Sequence, residues 1–283
     1  MRGTLHSRVE GSGEPVLVLH GFTGAAESMQ PVSEGLRDGW QVVRVDLIGH
    51  GDSDAPRDVA AYTMERCTEQ VAASLDALEI GAAHVVGYSM GGRVALALAT
   101  WKPERVRSAI LVGASAGIRE RDARTERRGA DDALAARIEC EGLETFVDAW
   151  MRLPLFSSQD ALGPEALALA REQRLRNRPH GLANSLRGMG AGAQPALHSE
   201  LGGVRVPICL VAGERDAKFT AIASQLADLL PDARVEVIPG AGHACHVEAP
   251  LEFVRIARDF LQEVAHDDAT IPPTIPMHAG VHS

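Results

Sequence analysis

Residues 83–101 contain the feature that most limits how this chain can fold. An apolar run is followed by the turn Gly87-Tyr88-Ser89-Met90-Gly91 and then by a second, longer apolar stretch with helical character. Glycines two positions on either side of a serine are needed where a strand turns sharply into a helix, because side chains there would collide with neighbouring backbone. The turn lifts the Ser89 hydroxyl above the sheet at a helix N-terminus, whose amides stabilise negative charge. The segment therefore predicts a strand, a tight turn and a helix, with Ser89 as the reactive residue.

The spacing of this turn is not specific by itself. The chain has 28 glycines, so the pattern can arise by chance. The alternative interpretation is an ordinary turn serine or helix N-cap. The interpretation of Ser89 therefore depends on what the rest of the chain places near it.

Short apolar runs recur along the chain and alternate with stretches of helical periodicity. Runs that are apolar on both faces are typical of central strands in a parallel sheet. They lie at residues 15–20, 40–46, 83–88, 106–112, 206–212 and 234–238, and residues 4–9 can add a short edge strand. This alternation predicts an α/β fold with a doubly wound, mostly parallel sheet.

Residues 117–203 interrupt the alternation. They contain no convincing strand, and helical stretches are predicted at 118–141, 143–153, 164–177 and 181–189. We expect a helical cap, or lid, inserted into a core formed by residues 1–116 and 204–266. Residues 267–283, with several prolines and small residues, are expected to form a disordered tail.

Composition restricts the partners and the compartment. The net charge of −10 argues against nucleic acid and against anionic membrane surfaces. The four cysteines have no paired spacing, which favours reduced thiols. The chain has no apolar signal core or membrane-spanning run, so we expect a soluble, cytoplasmic protein. Its oligomeric state is left open, as a monomer or a weak homo-oligomer.

Charge is distributed unevenly along the chain. The predicted cap carries twelve arginines and thirteen acidic residues, so it is nearly neutral above an acidic body. Such a cap could attract a small anionic substrate, although arginines that merely solvate helix faces would explain most of the twelve.

Asp216 and His243 each follow an apolar strand, as Ser89 does. Loops at the carboxyl ends of parallel strands meet at one edge of the sheet, so these three residues can come into contact. Serine needs an imidazole to accept its proton, and the imidazole needs a carboxylate to fix its tautomer and offset its charge. A lone His243 or Asp216 would more often be structural, but the order Ser-Asp-His predicts a catalytic triad.

Two backbone N–H groups are candidates for an oxyanion hole. The loop His20-Gly21-Phe22-Thr23-Gly24 follows the second strand and can bring the Phe22 N–H beside the nucleophile. The Met90 N–H would supply the other half. A simple strand-to-helix loop is the alternative.

Two further patterns resemble ligand-binding motifs but do not predict a bound metal or nucleotide. Cys245, His246 and Glu248 fit no metal-binding spacing, so no metal is expected. The stretch Gly188-x-Gly190-x-Gly192-Ala193 resembles a nucleotide fingerprint, but it follows a helix where the fingerprint follows a strand. We expect no cofactor.

From Val16 to Phe260 the chain resembles the α/β-hydrolase superfamily and, within it, the MenH family. The residues that carry the second resemblance are Gly87-Tyr88-Ser89-x-Gly91-Gly92-Arg93, Phe146-Val147-Asp148-Ala149-Trp150, Gln194-Pro195 and Gly213-Glu214-Arg215-Asp216-x-Lys218-Phe219. MenH enzymes are 2-succinyl-6-hydroxy-2,4-cyclohexadiene-1-carboxylate synthases of menaquinone biosynthesis. The resemblance implies an α/β-hydrolase fold and a carbon–oxygen lyase that eliminates pyruvate from 2-succinyl-5-enolpyruvyl-6-hydroxy-3-cyclohexene-1-carboxylate.

The same resemblance implies the roles of individual residues. Ser89, assisted by His243 and Asp216, would act as a base, with the oxyanion held by the Phe22 and Met90 N–H groups. The carboxylates of the substrate would be bound by Tyr88, Arg93, Arg127, Trp150 and Arg174. Arg124, Arg128, Arg171 and Arg176 lie within about a turn of two of these arginines and compete for the same roles.

Two other functions stay open at this point. One is a hydrolase of esters or carbon–carbon bonds in which Ser89 attacks covalently. The other is a binding protein without turnover, which would have no need of all three triad residues. The arginines favour the lyase over a hydrolase, because a general esterase pocket is largely apolar.

Overall fold

A computed structural model describes residues 3–270, with side chains as far as residue 266. Seven strands form one sheet: β1 (Ser7–Glu10), β2 (Glu14–Leu19), β3 (Trp40–Val45), β4 (Ala83–Tyr88), β5 (Val106–Val112), β6 (Ile208–Gly213) and β7 (Ala233–Ile238). Their order in space is β1-β3-β2-β4-β5-β6-β7. β1 is antiparallel to β3 and every other pair is parallel, which confirms the predicted mostly parallel α/β sheet.

Ten α-helices lie in the described part of the chain. They are α1 (Gln30–Leu36), α2 (Met64–Ala77), α3 (Met90–Trp101), α4 (Arg121–Glu141), α5 (Leu143–Met151), α6 (Pro164–Leu175), α7 (Pro179–Met189), α8 (Ala217–Ala227), α9 (Cys245–Glu248) and α10 (Pro250–Thr270). None of the helices in the described residues is long and apolar enough to cross a membrane.

The last helix is longer than predicted. The sequence pattern predicted a disordered tail from residue 267, but α10 continues through residues 267–270. The chain reaches no proline, the strongest helix breaker, until residue 272, so the helical periodicity has no reason to stop earlier. The rest of the expected tail, residues 271–283, lies outside the described residues.

The central strands are buried because both faces of the sheet are covered. Val85 and Val86 are adjacent in β4 and fully buried, yet their side chains belong to two different hydrophobic clusters on opposite faces. One cluster includes apolar residues of α3, and the other includes apolar residues of α10. This two-sided packing explains why the strand reads as a continuous apolar run in the sequence.

Four helices, α4 to α7, are inserted between β5 and β6. They enclose a small apolar cluster of their own, formed by Ala135, Ile138, Phe146, Val147, Leu182, Ala183 and Leu186. A segment of 3-10 helix, Pro154–Leu162, connects α5 to α6 and was not predicted. We call residues 114–207 the helical insertion.

The turn between β4 and α3 has the sharp geometry that the sequence predicted. Ser89 has a φ of +50°, a region that residues other than glycine rarely adopt. A Cβ atom on Gly87 would lie 2.4 Å from the carbonyl oxygen of Gly91, so no side chain fits there. The turn therefore places Ser89 at the carboxyl edge of the sheet and at the start of α3.

Candidate active site

Ser89, His243 and Asp216 form one hydrogen-bonded chain. Nε2 of His243 lies 3.2 Å from Oγ of Ser89, and Nδ1 of His243 lies 2.7 Å from Oδ2 of Asp216. His243 and Asp216 are buried, at 3% and 8% exposure. If Nδ1 carries the proton and donates it to Asp216, Nε2 is left as the acceptor for the serine hydroxyl.

The two partners of Ser89 are each fixed by local structure. Asp216 is the N-cap of α8, where its Oδ1 accepts a hydrogen bond from the Phe219 N–H at 3.2 Å. Its Oδ2 is thereby directed to His243. The His243 ring packs near Phe219, Tyr88 and Phe156, with ring centroids 4.6, 5.5 and 6.2 Å away. These contacts shield the imidazole from bulk water.

Glu248 holds the loop that carries His243, a role that the sequence pattern did not reveal. Its carboxylate accepts hydrogen bonds from the backbone N–H of Gly242 at 2.6 Å and of Ala244 at 3.2 Å. The signal in the sequence is an acidic residue five positions after the histidine, which its spacing from Cys245 and His246 presents only as a candidate metal ligand. The ring of His246 packs against Tyr88, with centroids 4.3 Å apart.

The loop after β2 lies against the serine turn. A Cβ atom on Gly21 would be 3.5 Å from Cβ of Ser89, and the following Phe22 lines the same cavity as Ser89. His20 fixes this loop, because its Nδ1 bonds to the Gly21 carbonyl at 2.8 Å and its Nε2 accepts from the Leu47 N–H at 3.0 Å. Burial lowers the pKa of His20, which keeps the ring neutral and suited to this pair of bonds.

A cavity of about 280 Å³ opens onto Ser89 and His243. Much of its wall is apolar, formed in part by Phe22, Leu134, Trp150, Phe156, Leu186, Met189 and Ile222. Three cationic side chains also line it: Arg93, Arg127 and Lys218. No described residue in its lining carries a carboxylate, so the cavity presents net positive charge beside the serine.

Arg93 and Arg127 reach this cavity from different elements. Nη1 of Arg93, on α3, donates to the Met189 carbonyl at 2.7 Å and to Oε1 of Gln194 at 2.6 Å. Burial, together with the nearby charge of Arg127, lowers the pKa of Arg93 to about 10. Arg127, on α4, donates from Nε to Asp131 at 2.8 Å, which leaves its terminal Nη groups for a ligand.

Two predicted aromatic residues also line the cavity. Nε1 of Trp150 is buried and has no hydrogen-bond partner among the described residues, so it is a free donor. Tyr88 separates this cavity from a second one, and burial raises the pKa of its hydroxyl above the ordinary value. Both residues can donate hydrogen bonds to carboxylate oxygens.

Arg174 does not lie in the cavity that holds Ser89. It lines the second cavity, of about 470 Å³, which shares Phe22 and Tyr88 with the first. Its Nη1 donates to the Ala170 carbonyl at 2.7 Å, and its buried Nε has no partner among the described residues. Its role in substrate binding stays a prediction.

The neighbouring arginines have other contacts. Arg171 forms ion pairs with Asp148 and Glu144, and Arg176 forms ion pairs with Glu27 and Glu172. Arg128 lines a separate groove, together with residues such as Thr63 and Arg187. Lys218, by contrast, lines the cavity beside Ser89. The sequence indicates Lys218 only as a member of the motif that contains Asp216.

Comparisons with known proteins agree with this architecture. Residues 14–250 match the family described as alpha/beta hydrolase fold. The putative 2-succinyl-6-hydroxy-2,4-cyclohexadiene-1-carboxylate synthase of Bacillus subtilis is 41% identical over 251 residues, which cover 89% of this chain and 91% of that protein.

Solved structures with the same fold also match this chain. The structure of MenH from S. aureus is 35% identical, with a TM-score of 0.88, and the match covers 92% of this chain and 99% of that one. The enol-lactonase from Burkholderia xenovorans is 26% identical, with a TM-score of 0.79 and coverage of 91% and 96%.

Proposed function

This chain belongs to the α/β-hydrolase fold family, and we propose that it is a carbon–oxygen lyase within it. The proposed reaction eliminates pyruvate from 2-succinyl-5-enolpyruvyl-6-hydroxy-3-cyclohexene-1-carboxylate and gives 2-succinyl-6-hydroxy-2,4-cyclohexadiene-1-carboxylate, a step of menaquinone biosynthesis. The observation that carries the proposal is a cavity that combines the Ser89–His243–Asp216 chain with three cations and no carboxylate in its described lining. The relatives named for this activity, similar over most of the chain, support it.

The reaction begins at the ring carbon that bears the succinyl group. Its hydrogen is acidic because it is next to the succinyl ketone. Nε2 of His243 takes the proton of the Ser89 hydroxyl as the Ser89 oxygen takes the ring proton, so the serine ends neutral and His243 holds one additional proton. Asp216 stabilises the imidazolium that results.

Loss of the proton places negative charge on the ketone oxygen. The backbone N–H groups of Phe22 and Met90 are the proposed donors to this enolate. When the enolate collapses, a new ring double bond forms, the existing one moves by one position, and the bond to the enolpyruvyl oxygen breaks. The departing enolpyruvate gains a proton and becomes pyruvate. No water is consumed, and the ring is left with the two double bonds of the product.

The cationic side chains bind the substrate. Arg93 and Arg127, which line the cavity, would bind two carboxylates of the polyanion, with Tyr88 and Trp150 as further donors. Arg174 would contribute from the neighbouring cavity if the ligand extends past Tyr88.

Purified protein and the enolpyruvyl substrate test this function directly. We expect one pyruvate and one cyclohexadiene for each substrate consumed, followed by absorbance of the conjugated diene and by an enzymatic pyruvate assay. In water labelled with heavy oxygen, the cyclohexadiene product should contain no labelled oxygen, because the lyase reaction consumes no water. Absence of pyruvate release by folded protein would refute the lyase function.

A serine hydrolase is the second candidate. The apolar part of the cavity wall, with Phe22, Trp150 and Phe156, is the observation that favours it, because an uncharged acyl chain would fit there. In that reaction Ser89 attacks a carbonyl carbon and forms a covalent acyl-enzyme. Efficient turnover of simple esters, with no turnover of the enolpyruvyl substrate, would establish this alternative.

A further inference from the structure

Residues 188–194, which we call the glycine segment, begin in the last turn of α7 and line part of the cavity. Their glycines allow close contact with α4. A Cβ atom on Gly192 would lie 2.2 Å from the backbone nitrogen of Arg128, and one on Gly190 would lie 2.6 Å from Oδ2 of Asp131. Two of the glycines that resemble a nucleotide fingerprint, Gly190 and Gly192, therefore serve to pack this segment against a helix.

The glycine segment supplies both acceptors that hold Arg93. Nη1 of Arg93 donates to the Met189 carbonyl and to the Gln194 amide oxygen, and both acceptors are uncharged. Within residues 3–266, no carboxylate forms an ion pair with Arg93. Arg171, outside the cavity, differs in this respect because it bonds to two carboxylates, at 2.5 and 2.8 Å.

In the ligand-free protein, Gln194 buries a hydrogen-bond donor without a partner in the described part of the chain, which is unfavourable. Its side chain is 1% exposed, and its Nε2 has no hydrogen-bond partner among the described residues. The orientation of the amide is fixed by its neighbour, because a guanidinium can only donate and Oε1 must therefore face it. A glutamate of the same shape would remove the unpartnered donor and form an ion pair with Arg93.

We propose that Gln194 is a positioning residue that sets the preference of the cavity for anionic substrates. It orients the Arg93 guanidinium through a neutral acceptor, so no ion pair with a described residue occupies Arg93 before a carboxylate of the substrate binds. Arg93 remains protonated at neutral pH, since its pKa is about 10. Asp131 acts on Arg93 without a direct contact, whereas it forms an ion pair with Arg127 at 2.8 Å. The inference rests on the proposed function only in taking the substrate to be a carboxylate compound.

Two variants of the same residue separate charge from orientation. Gln194→Glu keeps an oxygen acceptor facing Arg93 but neutralises the pair. Gln194→Met removes the acceptor and leaves the charge of Arg93 unopposed. We expect Gln194→Glu to raise KM for the anionic substrate about 10-fold or more, with kcat changed much less. Gln194→Met should lower kcat more than it raises KM, because the guanidinium is no longer oriented.

Binding can be measured without turnover. The probe is 2-succinylbenzoate, a stable aromatic dicarboxylate that keeps the succinyl and ring carboxylates, titrated calorimetrically into wild type and both variants. We expect Gln194→Glu to weaken its binding about 10-fold or more while Tm stays equal to that of wild type or rises. A residue with a merely structural role would lose affinity and Tm together.

The outcomes separate the two hypotheses. If Gln194→Glu binds the dicarboxylate as tightly as wild type, or if it loses affinity together with Tm, the role of Gln194 is refuted. If wild type binds the dicarboxylate but releases no pyruvate from the enolpyruvyl substrate, the lyase function fails and Gln194 is still tested by binding. If wild type does not bind the dicarboxylate, the role of Gln194 is overturned, and the pyruvate-release assay decides the lyase function separately.

Discussion

Gly91, in the first turn of α3, packs against the end of β2: a Cβ atom on it would lie 2.4 Å from the carbonyl oxygen of Leu19. The contact is with backbone, which cannot move aside as a flexible side chain could. It holds the turn that carries Ser89 close to the strand whose following loop carries Phe22. The two halves of the proposed oxyanion hole therefore depend on this approach.

Gly91→Ala should destabilise the protein because the added methyl group overlaps this backbone. We expect the free energy of unfolding, measured by chemical denaturation, to fall by about 2 kcal/mol or more. Gly202→Ala is the matched control, because a Cβ atom there meets nothing within 4 Å. Equal stability of the two variants would contradict the packing argument.

Ser89→Ala should abolish the proposed base while leaving the cavity intact. We expect kcat for pyruvate release to fall by ~10³-fold or more, with binding of 2-succinylbenzoate largely kept. Ser224→Ala, a change of an exposed serine on α8, is the control for the substitution itself. Near-normal pyruvate release by the Ser89 variant would rule out its role as the base.

Arg127→Ala tests the assignment of one arginine among several on α4. Loss of a charge-assisted contact to the substrate should raise KM by about 10- to 100-fold, with a smaller loss of kcat if the arginine also orients the ring. Arg124→Ala is the comparison, since Arg124 is not in the lining of the cavity. The measurement is the steady-state kinetics of both variants. If KM and kcat of Arg127→Ala equal those of wild type, Arg127 is excluded from the binding site.

Glu248→Gln tests the support of the His243 loop. An amide can accept from one of the two backbone N–H groups but presents its own donors to the other, so the loop should shift. We expect kcat to fall about 10-fold with KM little changed, because orientation of the imidazole is lost and substrate contacts are not. Glu252→Gln, at an exposed glutamate paired with Arg255, is the control. A kcat that matches this control would mean that Glu248 does not position His243.

Stability should decrease on mild acidification because of buried histidines. Burial, together with the charge of a neighbouring histidine, lowers the pKa of His50 and of His246 from 6.5 to about 3. Below pH 6.5 the unfolded chain takes up protons at these residues and the folded protein does not, so the stability that is fully present above pH 6.5 is lost as the pH falls toward 3. Each histidine should contribute a slope of about 1.4 kcal/mol per pH unit inside this window.

Denaturation curves at several pH values between 7.5 and 5 provide the measurement. His50→Leu should reduce the slope by about one proton, whatever its effect on stability at neutral pH. An unchanged slope would show that His50 is not held neutral by the fold. Carboxylates with lowered pKa values, such as Asp46, act in the same direction but below the usual range of a carboxyl group.

The sequence by itself determined the elements and their order. Apolar periodicity and glycine spacing are local properties, so the bounds of β5 and the turn at Ser89 could be read directly from neighbouring residues. The succession of strands and helices also limited the topology to a parallel sheet, because such strands need crossover connections. From that topology it followed that Ser89, Asp216 and His243 would lie at one edge of the sheet.

The tertiary structure alone decided which side chains face the cavity. Arg124, Arg127 and Arg128 lie within about one turn of α4, and only the packing of that helix against α7 and the glycine segment directs Arg127 to Ser89. The same holds for Arg174, which lies in the neighbouring cavity, and for Glu248, whose backbone partners surround His243. Helical periodicity fixes the direction in which a side chain leaves its helix. The elements that pack against that side of the helix come from distant parts of the chain. For this reason the local pattern could name the candidate reacting groups, while long-range packing determined which side chains surround them.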